Sequence, residues 1–180
     1  MTPRPARYAA VDTPPGPFTV VVTDSATRPH HDVVLASGWT DDVGELLHVV
    51  HKSLRPVWVE RADGLAALDA VTAFMAGDVT AIDDVEVEQR SGPFLQEAWE
   101  VLRTVPPGRP DTYATFAARC GHPSAVRAAA NACARNAAAL FVPCHRVLGS
   151  DGGLGGFRWG TGVKRWLLDH EAAHAQAPAA

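Results

Sequence analysis

The sequence predicts two units in series. Residues 17–90 read as an α/β domain, a small sheet with helices, and residues 91–174 as an all-α domain carrying a helix-turn-helix. Three observations predict this. Short β-branched runs set off by turn residues lie before residue 90. Helical periodicity bounded by Gly and Pro dominates after it. The charge divides there too: residues 1–93 hold seven Lys or Arg against fourteen Asp or Glu, and residues 94–180 hold nine against six. The start, residues 1–16, is rich in Pro, Ala and Arg and reads as a loose arm, and residues 175–180 as a loose tail.

Taken in order, FTVVVTD (18–24) and DVVLASGW (32–39) are β-rich runs separated by polar turn residues, two strands of a hairpin or meander. DDVGELLHVVHKSL (41–54) opens on acidic capping residues and spaces Val43, Leu46, Leu47 and Val50 as one helical face. VWVE (57–60) reads as a short strand, and DGLAALDAVTAFMAG (63–77) as a helix stopped by Gly77. DDVEVEQ (83–89) alternates like a further strand. Pro93 then opens a helix whose Phe94, Leu95, Ala98, Trp99 and Leu102 face inward. DTYATFAARCG (111–121) is a second helix ended by Gly121, and HPSAVRAAANACARN (122–136) a third with Pro123 in its first turn. Two short helices joined across 121–124 have the outline of a helix-turn-helix. The last helix, GVKRWLLDHEAAH (162–174), turns Val163, Trp166, Leu167 and His170 inward, with Glu171 at the edge of that face.

The bulk numbers narrow the function classes. The chain has 180 residues, is 47% hydrophobic and 20% charged, and carries a net charge of −4. That is an ordinary globular composition. No apolar run reaches the roughly 18 residues of a membrane helix, and the start lacks a signal-peptide core, so a cytoplasmic protein with no membrane partner is expected. Three cysteines are too few, and odd in number, for a disulfide framework. The net charge argues against a nucleic-acid partner for the first half, but the basic second half could meet phosphates.

The residues fit for chemistry lie in that second half. FVPCHRVLGS (141–150) sets Cys144 beside His145, a thiol next to a side chain able to take its proton. Glu171, turned toward a core, needs a partner, and His145 is a candidate; Glu171, His145 and Cys144 would make an orienter, base and nucleophile set. GSDGGLGGFRWG (149–160) has six glycines in twelve residues. It lacks the Gly-Lys-Ser/Thr ending of a phosphate loop and fits a backbone-lined pocket for a flat heterocycle. The third helix is nearly bare: Ser124, Ala125, Ala128, Ala129, Ala130, Ala132 and Ala134 surround Arg127, Asn131 and Arg135. Periodicity favours a tightly packed core helix. The other reading is a helix stripped to enter a space as narrow as a DNA minor groove, about 6 Å wide.

Together PCHRV, the glycine-rich GSDGGLGGFRWG, WLLDHE and TYATFAARCGHPSAVRA resemble the O6-alkylguanine-DNA alkyltransferases, from about Pro93 to Glu171. The N-terminal half is similar to that family's variable domain in layout only. The resemblance implies a ribonuclease-H-like layout for the first domain and a winged-helix-like second domain. It implies direct-reversal repair: Cys144 takes the alkyl group from O6-alkylguanine, and from O4-alkylthymine, irreversibly and once per molecule. His145 would act as base through a water, Glu171 would orient it, Asn136 would fix the active-site turn, and Tyr113 would donate to the guanine ring. The carbonyls of Cys144 and Val147 would accept from the guanine amine, and the Arg158 N–H would donate to O6. Pro143, Phe157 and Trp159 would wall the pocket. Ser124, Arg127, Ala128, Asn131 and Arg135 would meet double-stranded DNA in the minor groove, with Arg127 filling the stack left by the flipped base. The resemblance implies no cofactor, and a monomer that could cluster along DNA.

Two departures from the family pattern stand out: Ala137 follows Asn136 where proline is common, and Phe157 stands where tyrosine is common. Two rivals remain. Some relatives lack the cysteine and only bind alkylated DNA, recruiting other repair factors; position 144 is Cys here. A cysteine hydrolase also needs a Cys/His pair, but its members converge from separate elements. Cys120 and Cys133 read as small buried residues, Cys133 near the pocket. His30, His31, His48 and His51 invite a zinc site, but no cysteine precedes residue 120, so no metal is predicted. Trp39 and Trp58 read as core.

Overall fold

A computed structural model describes residues 5–28 and 31–175. Strands β1 (Ala6–Thr13), β2 (Gly16–Asp24), β3 (Asp32–Gly38) and β4 (Val59–Arg61) form one sheet in the order β3-β2-β1-β4. The first three run antiparallel and β4 joins β1 in parallel. Strand β2 is central and is covered on both faces, which is why FTVVVT carries no polar alternation. Phe18, Val20 and Val22 point to one side, toward Val71 and Phe74 of α2 (Ala66–Met75). Val21 points to the other, with Leu35, toward Leu46 and Val50 of α1 (Val43–Val49) and its end.

The loose arm expected over 1–16 is corrected for residues 6–13, which are β1; residues 1–4 lie outside the described range. ThrProProGly (13–16) is a hairpin turn with Gly16 at φ +133°, and it folds β1 back along β2 from Thr13↔Gly16 to Ala6↔Thr23. Without β1 the backbone groups on that edge of β2 would lie unpaired inside the protein. The strand expected at 83–89 is also corrected. Val34 N donates to Glu86 O and Glu88 N to Val34 O, a single bridge to the edge of β3, after which Gln89 turns away. Trp58 is corrected from core to surface: it is 54% exposed, just before the three-residue strand β4, where no element covers it.

In the second half, α3 (Pro93–Leu102) begins on its proline as expected. Helices α4 (Tyr113–Arg119) and α5 (Val126–Ala134) follow, the first capped by Thr112 Oγ1 accepting from Thr115 N at 3.1 Å. Gly121 closes α4 at φ +77°. Pro123 precedes α5 in a turn instead of sitting inside it, because the helix starts only at Val126. The half is not purely helical: β5 (Asp111–Thr112) and β6 (Val147–Leu148) pair in parallel, supplying backbone partners to the chain on either side of the helix pair. Helix α6 (Thr161–His174) closes the molecule. No helix among the described residues is long and apolar enough to cross a membrane.

The halves share one hydrophobic cluster, which joins Phe18, Val34 and Phe74 to Phe116, Phe141 and Leu167. Their backbones are also stitched together. Ser37 N donates to Ala137 O at 2.9 Å, Ala139 N to Ser37 O at 3.3 Å, and Ser37 Oγ to Ala139 O at 2.7 Å. The segment after α5 therefore sits as an extra rung on the edge of β3.

Candidate active site

Cys144 opens a single 3-10 turn, Cys144–Arg146, directly before β6. Only 8% of its surface is exposed, at the floor of a cavity of about 490 Å³. Tyr113 and Cys133 line one side, Phe157, Arg158 and Trp159 the other. Ala130, Ala134, Ala139 and Gly156 keep the remaining wall thin. Burial pushes the Cys144 thiol above its ordinary value, partly offset by Asn136, whose Nδ2 donates to Sγ at 3.2 Å.

Asn136 is itself fully occupied. Nδ2 also donates to Val142 O at 2.7 Å, while Oδ1 accepts from Ala138 N at 3.0 Å and from Gln89 Nε2 at 3.1 Å. Gln89 Oε1 in turn accepts from Ala137 N at 2.7 Å. The turn is thus held by side-chain bonds although it lacks the expected proline. It contains Leu140 at φ +75°, a left-handed conformation that costs a leucine on the order of 1–3 kcal/mol.

His145 and Glu171 lie completely buried behind the cysteine. His145 Nε2 and Glu171 Oε1 are 2.9 Å apart. Arg146, also buried, donates Nε to Oε1 at 2.9 Å and to Oε2 at 3.2 Å, and Nη1 to Val105 O at 2.7 Å. Its Nη2 reaches ion-pair distance, 2.9 Å from Oε1, without lining up to donate. Burial raises the Glu171 carboxyl, but His145 and Arg146 outweigh it and hold the group at about 2. An ionised Glu171 fixes the tautomer: Nε2 carries the proton and donates, and Nδ1 keeps its lone pair. Burial lowers the basicity of His145, so the imidazole rests neutral. Its Nδ1 is buried and has no hydrogen-bond partner among the described residues.

Gln89, Arg146 and Lys164 also build the site, and none of them is singled out by the sequence alone. Gln89 lies in the other half of the chain. Arg146 and Lys164 look like surface cations in sequence, yet both are buried. Lys164 Nζ donates to Val147 O at 2.7 Å and to Leu154 O at 2.6 Å, tying the glycine-rich segment to β6. Burial lowers the lysine below its ordinary value. Spacing offers a signal for it: Lys164 falls between Val163 and Leu167 on the inward side of α6.

Of the expected pocket residues, Phe157, Arg158, Trp159, Tyr113, Asn136 and Cys144 line the cavity, and Cys133 joins them. Pro143 and Val147 are buried outside the lining, with Val147 O already engaged by Lys164. Ser124 is exposed in the turn before α5, Arg127 and Asn131 are exposed on the helix with Ala128 half-buried, and Arg135 is exposed at its C-cap, while Ala129 and Ala132 face the core. Arg158 Nη2 donates to Ala134 O at 2.9 Å, bringing the glycine-rich segment against the end of α5. Among the described residues no three His, Cys, Asp or Glu converge as metal ligands; His30 lies outside them. His48 Nδ1 is 2.6 Å from Gly44 O, and His51 pairs with Ser53.

Comparison with known proteins places residues 93–173 in a match to the model of the 6-O-methylguanine DNA methyltransferase DNA-binding domain. The chain is 34% identical over 163 residues to a methylated-DNA–protein-cysteine methyltransferase of Salmonella typhimurium, covering 89% of this chain and 92% of that one. A Mycobacterium bovis protein of the same description is 33% identical over 171 residues, 94% of each. Among solved structures, Mycobacterium tuberculosis O6-methylguanine methyltransferase superposes with a TM-score of 0.74 at 31% identity, covering 96% of both chains. The M. tuberculosis OGT in complex with DNA gives 0.75 at 31%, covering 95% of this chain and 96% of that one.

Proposed function

The chain belongs to the O6-methylguanine-DNA methyltransferase family, and from that premise we propose that it repairs alkylated DNA by direct reversal, with Cys144 as the acceptor. The observation that carries the assignment is the thiol at the floor of an aromatic-walled cavity, backed by a neutral, buried histidine. Attack at saturated carbon needs a soft nucleophile, which thiolate is. The Cys144 proton leaves through a water to His145 Nδ1, the free lone pair at that site. Sulfur then bonds the alkyl carbon as the carbon–oxygen bond breaks, and the electron pair goes to guanine O6. Tyr113, a wall of the cavity whose phenol burial keeps protonated, donates to the ring as negative charge develops. The thioether has no route back to thiol in this site, so each molecule reacts once. O4-alkylthymine presents the same alkyl–oxygen bond and is the second substrate. Intact-protein mass spectrometry after incubation with DNA containing O6-methylguanine tests the proposal: one methyl group, on Cys144, is expected.

The exposed, nearly bare face of α5 supports entry into the minor groove, and its Arg127 supports the stack vacated by the flipped base. Ala128 and Asn131 share that helix, Ser124 precedes it and Arg135 caps it, and we infer that all four meet double-stranded DNA, on which the protein acts as a monomer. A free thiol nucleophile suits the reducing cytoplasm. Three antiparallel strands followed by a parallel fourth support the ribonuclease-H-like layout, and the β5–β6 pair beside α4 and α5 supports a winged-helix-like second unit. Arg127→Ala is expected to slow repair of duplex DNA about tenfold more than reaction with free O6-alkylguanine, since only the duplex must hold a base out. Equal losses on both substrates, in single-turnover kinetics, would assign Arg127 to folding.

Trp159 and Phe157 narrow the cavity, so methyl should be preferred over benzyl. Overpacking a rigid site costs about 1–3 kcal/mol, a roughly ten- to hundredfold loss. Trp159→Gly should recover most of it for benzyl. Competition between O6-methyl- and O6-benzylguanine in one oligonucleotide checks this, and equal rates in the parent protein would remove Trp159 as a gate.

A further inference from the structure

Two of the three aromatic walls of the Cys144 cavity, Phe157 and Trp159, do not stand on their own segment. Both lean on consecutive residues at the end of β3, in the other half of the chain. Phe157 meets Trp39, ring centroids 6.3 Å apart at 51°. Trp159 lies against Gly38 so closely that a Cβ on that glycine would stand 2.0 Å from Trp159 Cζ2 and 2.1 Å from Cε2. No real Cβ contact is that short, and the indole is a rigid body, not the end of a flexible chain. Gly38 adopts no left-handed φ, so the reason for glycine here is the space taken by the indole and not the backbone.

Trp159 is also a partition. One side faces the cavity above Cys144, and the other faces a cleft lined by Trp39, Glu45, His48 and Val49. Its position is therefore set by β3, and Trp39 is fixed there by donating Nε1 to Thr13 Oγ1 at 3.2 Å. The glycine-rich segment alone could not hold a wall, because its backbone is unusually free. The geometry points to Gly38 and Trp39 as positioning residues that set the width of the alkyl pocket, so that the N-terminal domain determines which alkyl groups reach Cys144.

This rests on the reading of Cys144 as alkyl acceptor, but pocket width can be measured without DNA. Iodoacetamide and N-benzyl iodoacetamide both alkylate a thiol; sulfur bonds the methylene carbon, iodide departs and the thiol proton goes to solvent. Trypsin places Cys144 in the peptide 136–146, apart from Cys133 in 128–135, so the rate at each is read separately. In Gly38→Ala the new methyl drives the indole away from β3 and into the cavity. The benzyl reagent should slow at Cys144 by about tenfold, with less than about threefold change for iodoacetamide. In a Trp159→Ala background the same substitution should change neither rate. An unchanged size ratio in Gly38→Ala, a shift toward the larger reagent, or an equal effect without the indole would overturn the inference. Should Gly38→Ala fail to fold, Trp39→Leu tests the same wall: it removes the ring behind Phe157, so the ratio should move toward the benzyl reagent, and an unmoved ratio would again refute it. Parent protein that selects by reagent size yet takes no methyl from DNA would sink the proposed function alone.

Discussion

Cys144→Ser is expected to abolish methyl transfer while leaving binding to DNA in place. Serine keeps the size and the hydrogen bond from Asn136, so the cavity and the exposed face of α5 should persist. It loses the chemistry. A hydroxyl gives up its proton far less readily than a thiol, and oxygen is a harder nucleophile toward saturated carbon. The buried imidazole, whose basicity is already lowered, cannot make up that difference. Intact mass after incubation with O6-methylguanine DNA should show no methyl on the variant and one on the parent. A gel shift should give the two similar affinities. More than one methyl removed per parent molecule would refute single turnover, and methyl uptake by the serine variant would place the acceptor elsewhere.

Arg146→Met should cost about 3–5 kcal/mol of folding stability, because breaking a buried pair leaves one charge uncompensated. That is a large share of the 5–15 kcal/mol typical of a domain. The expected effect on chemistry is subtler. Arg146 supplies the positive charge that balances Glu171, which lets His145 Nε2 donate to that carboxylate without the imidazole itself becoming charged. Without the guanidinium, Glu171 should pull His145 toward imidazolium, and a charged imidazole cannot take a proton. Transfer should slow, and the His145 titration followed by NMR should move up. A stability loss with no change in that titration would leave Arg146 a structural residue only.

The parent has a matching acid response. Glu171 is held at about 2 in the folded protein against 4.5 ordinarily, and His145 is lowered from 6.5. In both cases the unfolded chain binds the proton more readily, so stability rises with pH across the window. Their contribution is present above about 6.5 and is lost progressively as pH falls from there toward 2. Urea midpoints between pH 8 and 4 should decline, and a flat series would contradict the buried assignment of both groups.

The parts of this site that could be read from sequence are those announced by rare residue types in unusual company. A thiol beside an imidazole, a carboxylate on the apolar edge of α6 and a bare α5 each violate a local expectation. The parts that could not be read obey local expectations and are overruled by distant packing. Arg146 and Lys164 look like ordinary surface cations, since such residues are seldom buried unless paired. Only the fold brings Glu171 and three carbonyls to them. Gln89 sits in an alternating run whose pairing fails after one bridge, freeing its amide for Asn136. β1 is masked by its composition: three alanines and one arginine weigh little as strand formers, but the Pro-Pro-Gly turn places them where β2 needs a neighbour. Trp58 shows the reverse, a large apolar residue that no element comes to cover.

The rung that Ser37 adds to the segment 137–139 has a bearing on how this molecule can be divided. The residues proposed for the chemistry lie in the second half, which invites treating that half as a portable module. Its active-site turn, however, completes its hydrogen bonding on the edge of a sheet made by the first half. Cut away from β3, residues 137–139 would lose three bonds while Leu140 kept its left-handed strain. A chimera that joins this catalytic half to a relative's leading half would inherit a working site only if the foreign strand offered the same three contacts in the same register. Variation in the leading half is therefore constrained wherever it meets the second half: at the Ser37 rung, at Gln89, at Gly38 and Trp39, and in the shared core.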